Sequence, residues 1–156
     1  MRILGRLRLV PAPDTISRAQ AWLKTIGDQQ QWPPRLAFSL NLCLDEALTN
    51  VLEYGFPPPP DGAISSTGHP AFILLELKAD HLTLTLELVD NGRPFDPTQT
   101  EPAALASTVD EAPVGGHGLR LLRHYLQDIH YRFQDGQNHL QMIVARDAKR
   151  SDDGTT

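Results

Sequence analysis

The chain has 156 residues, of which 40% are hydrophobic and 21% charged, a composition that suits one globular domain rather than two. Its net charge of -5 argues against a direct nucleic-acid partner, because binders of the phosphate backbone need a concentrated positive surface. No stretch suits a signal peptide or a membrane span, and the single cysteine, Cys43, is expected to be a small core residue. The sequence therefore predicts a soluble, cytoplasmic domain over residues 1–146, without a membrane partner, and a disordered tail over 147–156.

The first third of the chain carries the patterns of one strand and two helices. Residues 2–10 alternate between two sets of side chains, which predicts an edge strand with a basic face; one set is Ile3, Gly5, Leu7 and Leu9, and the other is Arg2, Leu4, Arg6 and Arg8. Apolar residues then recur every three or four positions over 14–31, a helix that Asp14 or Thr15 is able to cap. A second and more apolar helix is predicted over 33–55, with a proline pair at its start.

The middle of the chain combines a hairpin with two irregular segments. Residues 57–70 begin with four consecutive prolines and are expected to form a long exposed connection. Two strands, over 71–78 and 82–90, are predicted to form an antiparallel hairpin. Residues 91–118 are rich in glycine and proline, and a long irregular segment inside a compact domain is usually functional or mobile.

Helical spacing returns after this segment, from residue 119 to about 128. Strands are predicted over 129–133 and 139–145, around a turn at 134–137. The whole order of elements predicts an α/β (α+β) fold, namely a two-layer α/β sandwich in which three helices cover one face of a mostly antiparallel sheet. The other face would be solvated or buried against a partner.

The first of three polar motifs lies in the middle of the second helix. Glu46 and Asn50 are four residues apart, so both side chains project from one face of that helix. A carboxylate there can take a proton, and an amide oxygen can coordinate a hard cation. A solvated polar stripe explains the same pair equally well.

The second motif begins where an alternating strand ends, at Asp90. A carboxylate fixed at a strand end can accept a hydrogen bond from an exocyclic amine. Gly92, two residues later, would let a flat ring approach the backbone. The alternative is an ordinary Asp-Asn-Gly turn.

The third motif is the run Gly-Gly-His-Gly-Leu at 115–119, which leads into the predicted third helix. Free backbone N–H groups and the positive end of a helix dipole form an anion site that suits phosphate. The run lacks the Lys-Ser/Thr of a P-loop, and no parallel strand precedes it as in a dinucleotide fingerprint. A flexible linker that ends at a helix cap is the alternative.

The order of these three motifs resembles the GHKL ATPase superfamily and its Bergerat nucleotide-binding fold. Within it, the short length, the string Asp-Asn-Gly-Arg-Pro-Phe-Asp-Pro at 90–97 and the glycine run at 115–119 resemble the anti-sigma factor serine/threonine kinases. The resemblance covers residues 3–145. It implies an ATP-binding kinase that phosphorylates an anti-sigma antagonist protein. The antagonist would compete with a sigma factor for binding to the kinase, which would thus act as a partner-switching regulator of transcription.

The resemblance also assigns roles to the residues of the first two motifs. Glu46 would act as the general base or position the nucleophile, and Asn50 would bind the Mg²⁺ that bridges the phosphates of ATP. Asp90 would accept a hydrogen bond from the adenine amino group, with Gly92 beside the ring.

The third motif would provide the phosphate site. Gly116 and Gly118 would let backbone amides approach the phosphates, with His117 and Leu119 in the same loop. Residues 96–114 would form a lid over ATP.

Three features depart from the family's pattern. Pro94 replaces the second glycine expected after Asp90, Tyr54 stands where many relatives carry a histidine, and the connection at 57–70 is longer than usual. Asn138 falls in the family's last and weaker motif, although a turn asparagine explains it as well.

The same motifs are compatible with two other functions. One is a non-catalytic ATP-binding module for protein interaction, and the other is a stand-alone ATPase domain of the histidine kinase type. Whichever function applies, the half-covered sheet and the family's precedent favour a homodimer through the open sheet face or an edge.

Overall fold

The computed structural model describes residues 1–56, 69–99 and 125–146. This part of the chain contains strands and helices with the bounds β1 Arg2–Leu9, α1 Thr15–Gln30, α2 Pro34–Asn50, β2 Ile73–Ala79, β3 Thr83–Asp90, β4 Asp128–Gln134 and β5 Gln137–Ala145. A π-helical turn, Val51–Gly55, extends α2, and a 3₁₀ turn, Pro97–Gln99, follows β3. The α+β class is therefore confirmed.

The strands form one antiparallel sheet in the order β1-β2-β3-β5-β4. The predicted hairpin of β2 and β3 is confirmed, and β1 is an edge strand as expected. The C-terminal hairpin joins the sheet through its second strand, because β5 lies between β3 and β4. This order places the C-terminal end of β3 beside the start of β5.

A bulge in β1 changes the predicted alternation of its side chains. The register shifts between Ile3 and Gly5, so that Ile3 pairs with Lys78 while Arg6 pairs with Glu76. Because Lys78 and Glu76 are two residues apart on one strand, Ile3 lies on the same face as Arg6. The prediction that Ile3 and Arg6 would face opposite ways is therefore wrong.

The turn between β4 and β5 has the backbone that the sequence predicts. Asp135 and Gly136 both have positive φ, at 55° and 76°. Two such residues form the tight turn whose twist matches that of the flanking strands. This turn sets the register in which Asn138 pairs with Phe133 of β4, while the ladder on the other side of β5 places Asn138 opposite Asp90 of β3.

Helices α1 and α2 cover one face of the sheet. The second helix contributes Leu40, Leu44 and Leu48, all fully buried, to the same core as the alternate leucines of β3. Cys43 is also buried, as expected, and burial raises the pKa of its thiol to about 12. The stripe of apolar residues on α2 therefore packs against the sheet, including β3, which ends at Asp90.

The start of α1 is held differently from the prediction. Asp14 occupies the position before the helix but makes no side-chain capping bond. The Thr15 hydroxyl donates to the carbonyl of Val10 at 2.9 Å and accepts from the amide of Ala12 at 2.8 Å. Thr15 therefore fixes the connection between β1 and α1 rather than capping the helix.

Several predicted segments lie wholly or mostly outside the described residues. They are the proline-rich connection, most of the lid, the glycine run at 115–119, the body of the third helix and the tail at 147–156. The predicted end of that helix near Asp128 is wrong, because residues 125–127 are not helical and Asp128 begins β4. None of the helices in the described part of the chain combines the length and apolar character needed to cross a membrane.

Candidate functional site

The candidate site forms where the end of α2 meets the end of β3. The amide of Arg93 donates to the carbonyl of Gly55 at 2.9 Å and ties the turn after β3 to the π-helical turn after α2. A Cβ on Gly92 would lie 2.6 Å from the same carbonyl oxygen, so only glycine allows this approach. The structure thus adds a second reason for glycine at this position, besides the predicted approach of a ring.

Asp90 ends β3 and points its carboxylate into the protein. The side chain is 2% exposed, and its Oδ1 accepts from the amide of Gly92 at 2.8 Å and from Nδ2 of Asn138 at 3.0 Å. Burial raises the pKa of Asp90 to about 6, although both hydrogen bonds act to lower it. A buried carboxylate of this kind is a costly group, which is typical of residues that bind or react.

The turn after Asp90 is anchored on its other side by Asn91. Its Oδ1 accepts from the amide of Phe72 at 2.9 Å, and its Nδ2 donates to the carbonyl of Pro70 at 2.9 Å. Asn91 is buried, so these bonds satisfy its amide and hold the turn against the chain that leads into β2. Asp90 is therefore carried by a rigid turn rather than by a free loop.

Glu46 and Asn50 lie on successive turns of α2, as their spacing predicts. Asn50 is 5% exposed, and its Oδ1 has no hydrogen-bond partner among the described residues. One oxygen of Glu46, Oε2, is likewise buried and unpartnered there. Burial raises the pKa of the Glu46 carboxyl, and the nearby carboxylates of Asp45 and Glu53 add to this effect.

A small cavity of about 20 Å³ lies between Asn50 and Asp90. Asn50, Asp90, Phe95 and Tyr131 are among its lining residues. The structure thus brings together Asn50 and Asp90, which lie 40 residues apart in the sequence, and Glu46 lies one helical turn before Asn50. A cavity of this size holds about one water molecule, so any larger ligand requires the walls to move apart.

One of the residues that line this cavity, Phe95, belongs to an aromatic pair. The rings of Tyr54 and Phe95 stack with their centroids 4.6 Å apart and their planes at 15°. Tyr54, the residue that departs from the family's histidine, thus contacts the segment after β3. Of the predicted lid, residues 96–99 are described, and Asp96 there accepts from the amide of Thr98 at 2.8 Å.

The phosphate-binding half of the predicted site lies outside the described residues. It comprises Gly116, His117, Gly118 and Leu119. In the part of the chain that the structure describes, no three His, Cys, Asp or Glu side chains lie together as a metal cluster.

Comparison with known proteins identifies similar sequences. The profile of the histidine kinase-like ATPase domain matches residues 9–144. The serine/threonine-protein kinase BtrW of Bordetella bronchiseptica is 40% identical over 136 residues, which cover 87% of this chain and 89% of that protein.

One solved structure has a similar fold. It is the histidine kinase domain of the blue-light activated histidine kinase EL346 from Erythrobacter litoralis, with a TM-score of 0.50 and 14% identity. The alignment covers 87% of this chain but 61% of that one, and at this identity it bears on the fold alone.

The matches agree with the resemblance drawn from the three motifs. The domain implies ATP binding, and the named relative supports a kinase-type role. The chain belongs to the histidine kinase-like ATPase domain family.

Proposed function

We propose that this chain is an ATP-dependent serine/threonine protein kinase that phosphorylates an anti-sigma antagonist protein and thereby switches partners, with a sigma factor as the competing partner. The observation that supports it best is the pair of buried oxygens on α2, Glu46 Oε2 and Asn50 Oδ1, which have no partner among the described residues. Buried polar atoms are normally hydrogen-bonded, so unpartnered ones favour a ligand that completes them.

The residues present fit Mg²⁺ and ATP. An amide oxygen such as Asn50 Oδ1 is a hard ligand of the type that Mg²⁺ prefers, and Mg²⁺ usually takes one or two protein ligands and completes its shell with phosphate and water. When bound, the ion would neutralise charge on the phosphates. Asp90 would accept from the adenine amino group, and the Gly116–Gly118 loop, with His117 and Leu119, would hold the phosphates.

Glu46 would serve the proton transfer. The substrate hydroxyl oxygen attacks the γ-phosphorus, the bond from that phosphorus to the bridging oxygen breaks, and ADP leaves with the electron pair. The hydroxyl proton passes to the Glu46 carboxylate. A raised pKa makes this carboxylate a stronger base than an exposed one, which suits the role.

We propose that the chain acts in the cytoplasm, where ATP is present. The reducing environment there is consistent with the free, buried thiol of Cys43. A homodimer through the open sheet face or an edge belongs to the same proposal. Arg6 and Glu76 lie on that face and form an ion pair at 2.6 Å, which a second subunit would have to cover or replace.

Transfer of labelled γ-phosphate from Mg·ATP tests the proposal directly. Candidate antagonist proteins from the same genome are expressed one at a time and incubated with the wild-type chain and with Glu46→Gln. We expect acid-stable, alkali-labile label on a serine or threonine of one candidate, and at least a hundredfold loss in the variant, as for general bases. Asp28→Asn is the matched control, since it removes an exposed carboxylate of α1 that pairs with Lys24, and its transfer should stay near the wild-type rate.

Other outcomes identify the other functions. Acid-labile label on a histidine would favour the ATPase domain of a histidine kinase. ATP binding that changes the affinity for the antagonist, with no transfer and no effect of Glu46→Gln, would favour a non-catalytic interaction module.

A further inference from the structure

Asn138 makes more hydrogen bonds to the turn after β3 than any role as a turn residue requires. It lies near the start of β5, directly opposite Asp90 in the ladder, and is 5% exposed. Its Nδ2 donates to Asp90 Oδ1 at 3.0 Å and to the carbonyl of Arg93 at 2.9 Å, with a longer contact of 3.4 Å to the carbonyl of Gly92. Its Oδ1 accepts from the amide of Phe95 at 3.1 Å and from the hydroxyl of Tyr131.

The surroundings define which way this amide points. A carboxylate and two carbonyls surround Nδ2, and these groups only accept, whereas the Phe95 amide beside Oδ1 only donates. A flipped amide would set like groups against each other on both sides. A single side chain thus satisfies its own donors and acceptors and joins β3, the turn after it and β4.

The bonds to Asp90 are unevenly distributed over its carboxylate. Both the Gly92 amide and Asn138 donate to Oδ1, and no described residue donates to Oδ2. Two donors on one oxygen prevent the carboxylate from rotating about its χ2 bond. Oδ2 is therefore the oxygen that a ligand can reach with a hydrogen-bond donor, in one fixed direction.

We propose that Asn138 is a positioning residue that sets the base selectivity of the nucleotide site, an inference that rests on the proposed ATP binding. With Oδ1 occupied, Oδ2 accepts from a 6-amino group and opposes a 6-oxo group at the same place. A carboxylate that is free to rotate can instead accept from the ring N1–H of hypoxanthine. Fixing the carboxylate therefore favours adenine over 6-oxopurines, because a site built for one donor leaves polar groups unpaired with the other base.

Calorimetric titration with ADP and with inosine diphosphate, both with Mg²⁺, tests the inference. These two ligands differ only at the 6-position and in the ring proton that accompanies it. Wild type should bind ADP at least tenfold more tightly than inosine diphosphate, a difference of about one good hydrogen bond. In Asn138→Leu, which keeps the branched shape and the number of side-chain heavy atoms but removes every side-chain hydrogen bond, ADP affinity should fall about tenfold while inosine diphosphate affinity stays or rises.

The matched control is Gln141→Leu, which removes an amide from the same strand on the opposite face of the sheet, where Gln141 pairs with Glu87. Its preference for ADP should equal that of wild type. If Asn138→Leu unfolds below the assay temperature, Asn138→Ser replaces it in the same titration. The serine hydroxyl is too short to join Asp90 to the turn. We expect the same loss of preference.

Two results overturn the inference while ATP binding stands. One is an equal loss of affinity for both nucleotides, which would make Asn138 a structural residue only. The other is an unchanged preference for ADP in both Asn138 variants. If wild type binds neither nucleotide, the ATP-binding proposal is itself refuted and this inference with it.

Discussion

Two glycines that contact each other should respond in opposite ways to the same substitution. A Cβ on Gly92 would lie 2.6, 2.8 and 2.9 Å from the carbonyl oxygen, carbonyl carbon and Cα of Gly55. A Cβ on Gly55 would meet nothing closer than 3.6 Å, at Asp90 Oδ1. Carbon contacts are normal near 3.5 Å or more, so Gly92→Ala must separate the two backbones by roughly 1 Å, while Gly55→Ala needs no movement.

The magnitude follows from what that separation disrupts. Overpacking costs about 1–3 kcal/mol, and loss of the bond from the Arg93 amide to the Gly55 carbonyl adds about 0.5–1.5 kcal/mol. Gly92→Ala should therefore lower the free energy of unfolding by roughly 2–4 kcal/mol. Gly55 lies in a helical turn without positive φ, so Gly55→Ala should be neutral or stabilising by up to about 1 kcal/mol.

Urea denaturation followed by circular dichroism measures both variants. For an m-value of about 2 kcal/mol/M, the midpoint of Gly92→Ala should fall by roughly 1–2 M, and that of Gly55→Ala should stay within about 0.5 M of wild type. Equal shifts in the two variants, or a wild-type midpoint for Gly92→Ala, would show that the turn after β3 does not lie against the end of α2. The geometry of the candidate site would then be wrong.

Two further substitutions test the electrostatics and the core. Asp90→Asn should become more stable relative to wild type as pH rises. The pKa of Asp90 is raised by burial from 3.8 to about 6, so its contribution to stability is complete below pH 4 and lost as pH rises through 6. Between pH 4 and pH 8, the stability of the variant relative to wild type should rise by about 3 kcal/mol in urea denaturation, and a difference that does not change over this range would refute the burial of this carboxyl. Leu44→Ala, at a site with 0% exposure, should lower the free energy of unfolding by about 2–5 kcal/mol. Leu82→Ala, at a site 67% exposed, should lower it by less than about 0.5 kcal/mol. Similar losses in the two variants would contradict the packing of α2 on the sheet.

Elements with a strong local pattern were predictable from the sequence. The alternation in β3, the apolar stripe of α2 and the Asp-Gly turn before β5 each depend on neighbours within a few residues, and all three match the structure. The bulge in β1 was not predictable, because one extra residue in a strand leaves no mark on composition and is defined by pairing with β2.

The candidate site shows the same division. Glu46 and Asn50 could be paired from their spacing alone, since one helix carries both. Asn138 carried little signal, because its role depends on the register between β5 and β3, which places it opposite Asp90. The contact between Gly92 and Gly55 was equally hidden, since nothing in either local sequence shows that two chain segments approach to 2.9 Å.

The cost of burying Asp90 is itself an argument about function. An asparagine at this position could accept the same two hydrogen bonds through its Oδ1 without a buried charge, and by the pH argument above it would gain stability relative to aspartate as pH rises through 6. Packing and hydrogen bonding therefore do not explain the carboxylate. A second oxygen that accepts from a ligand does, because an asparagine would present an NH₂ donor there and oppose an exocyclic amine. Proteins commonly keep such destabilising groups where binding requires them, and the stability gained by Asp90→Asn should accordingly be accompanied by weaker binding of ADP.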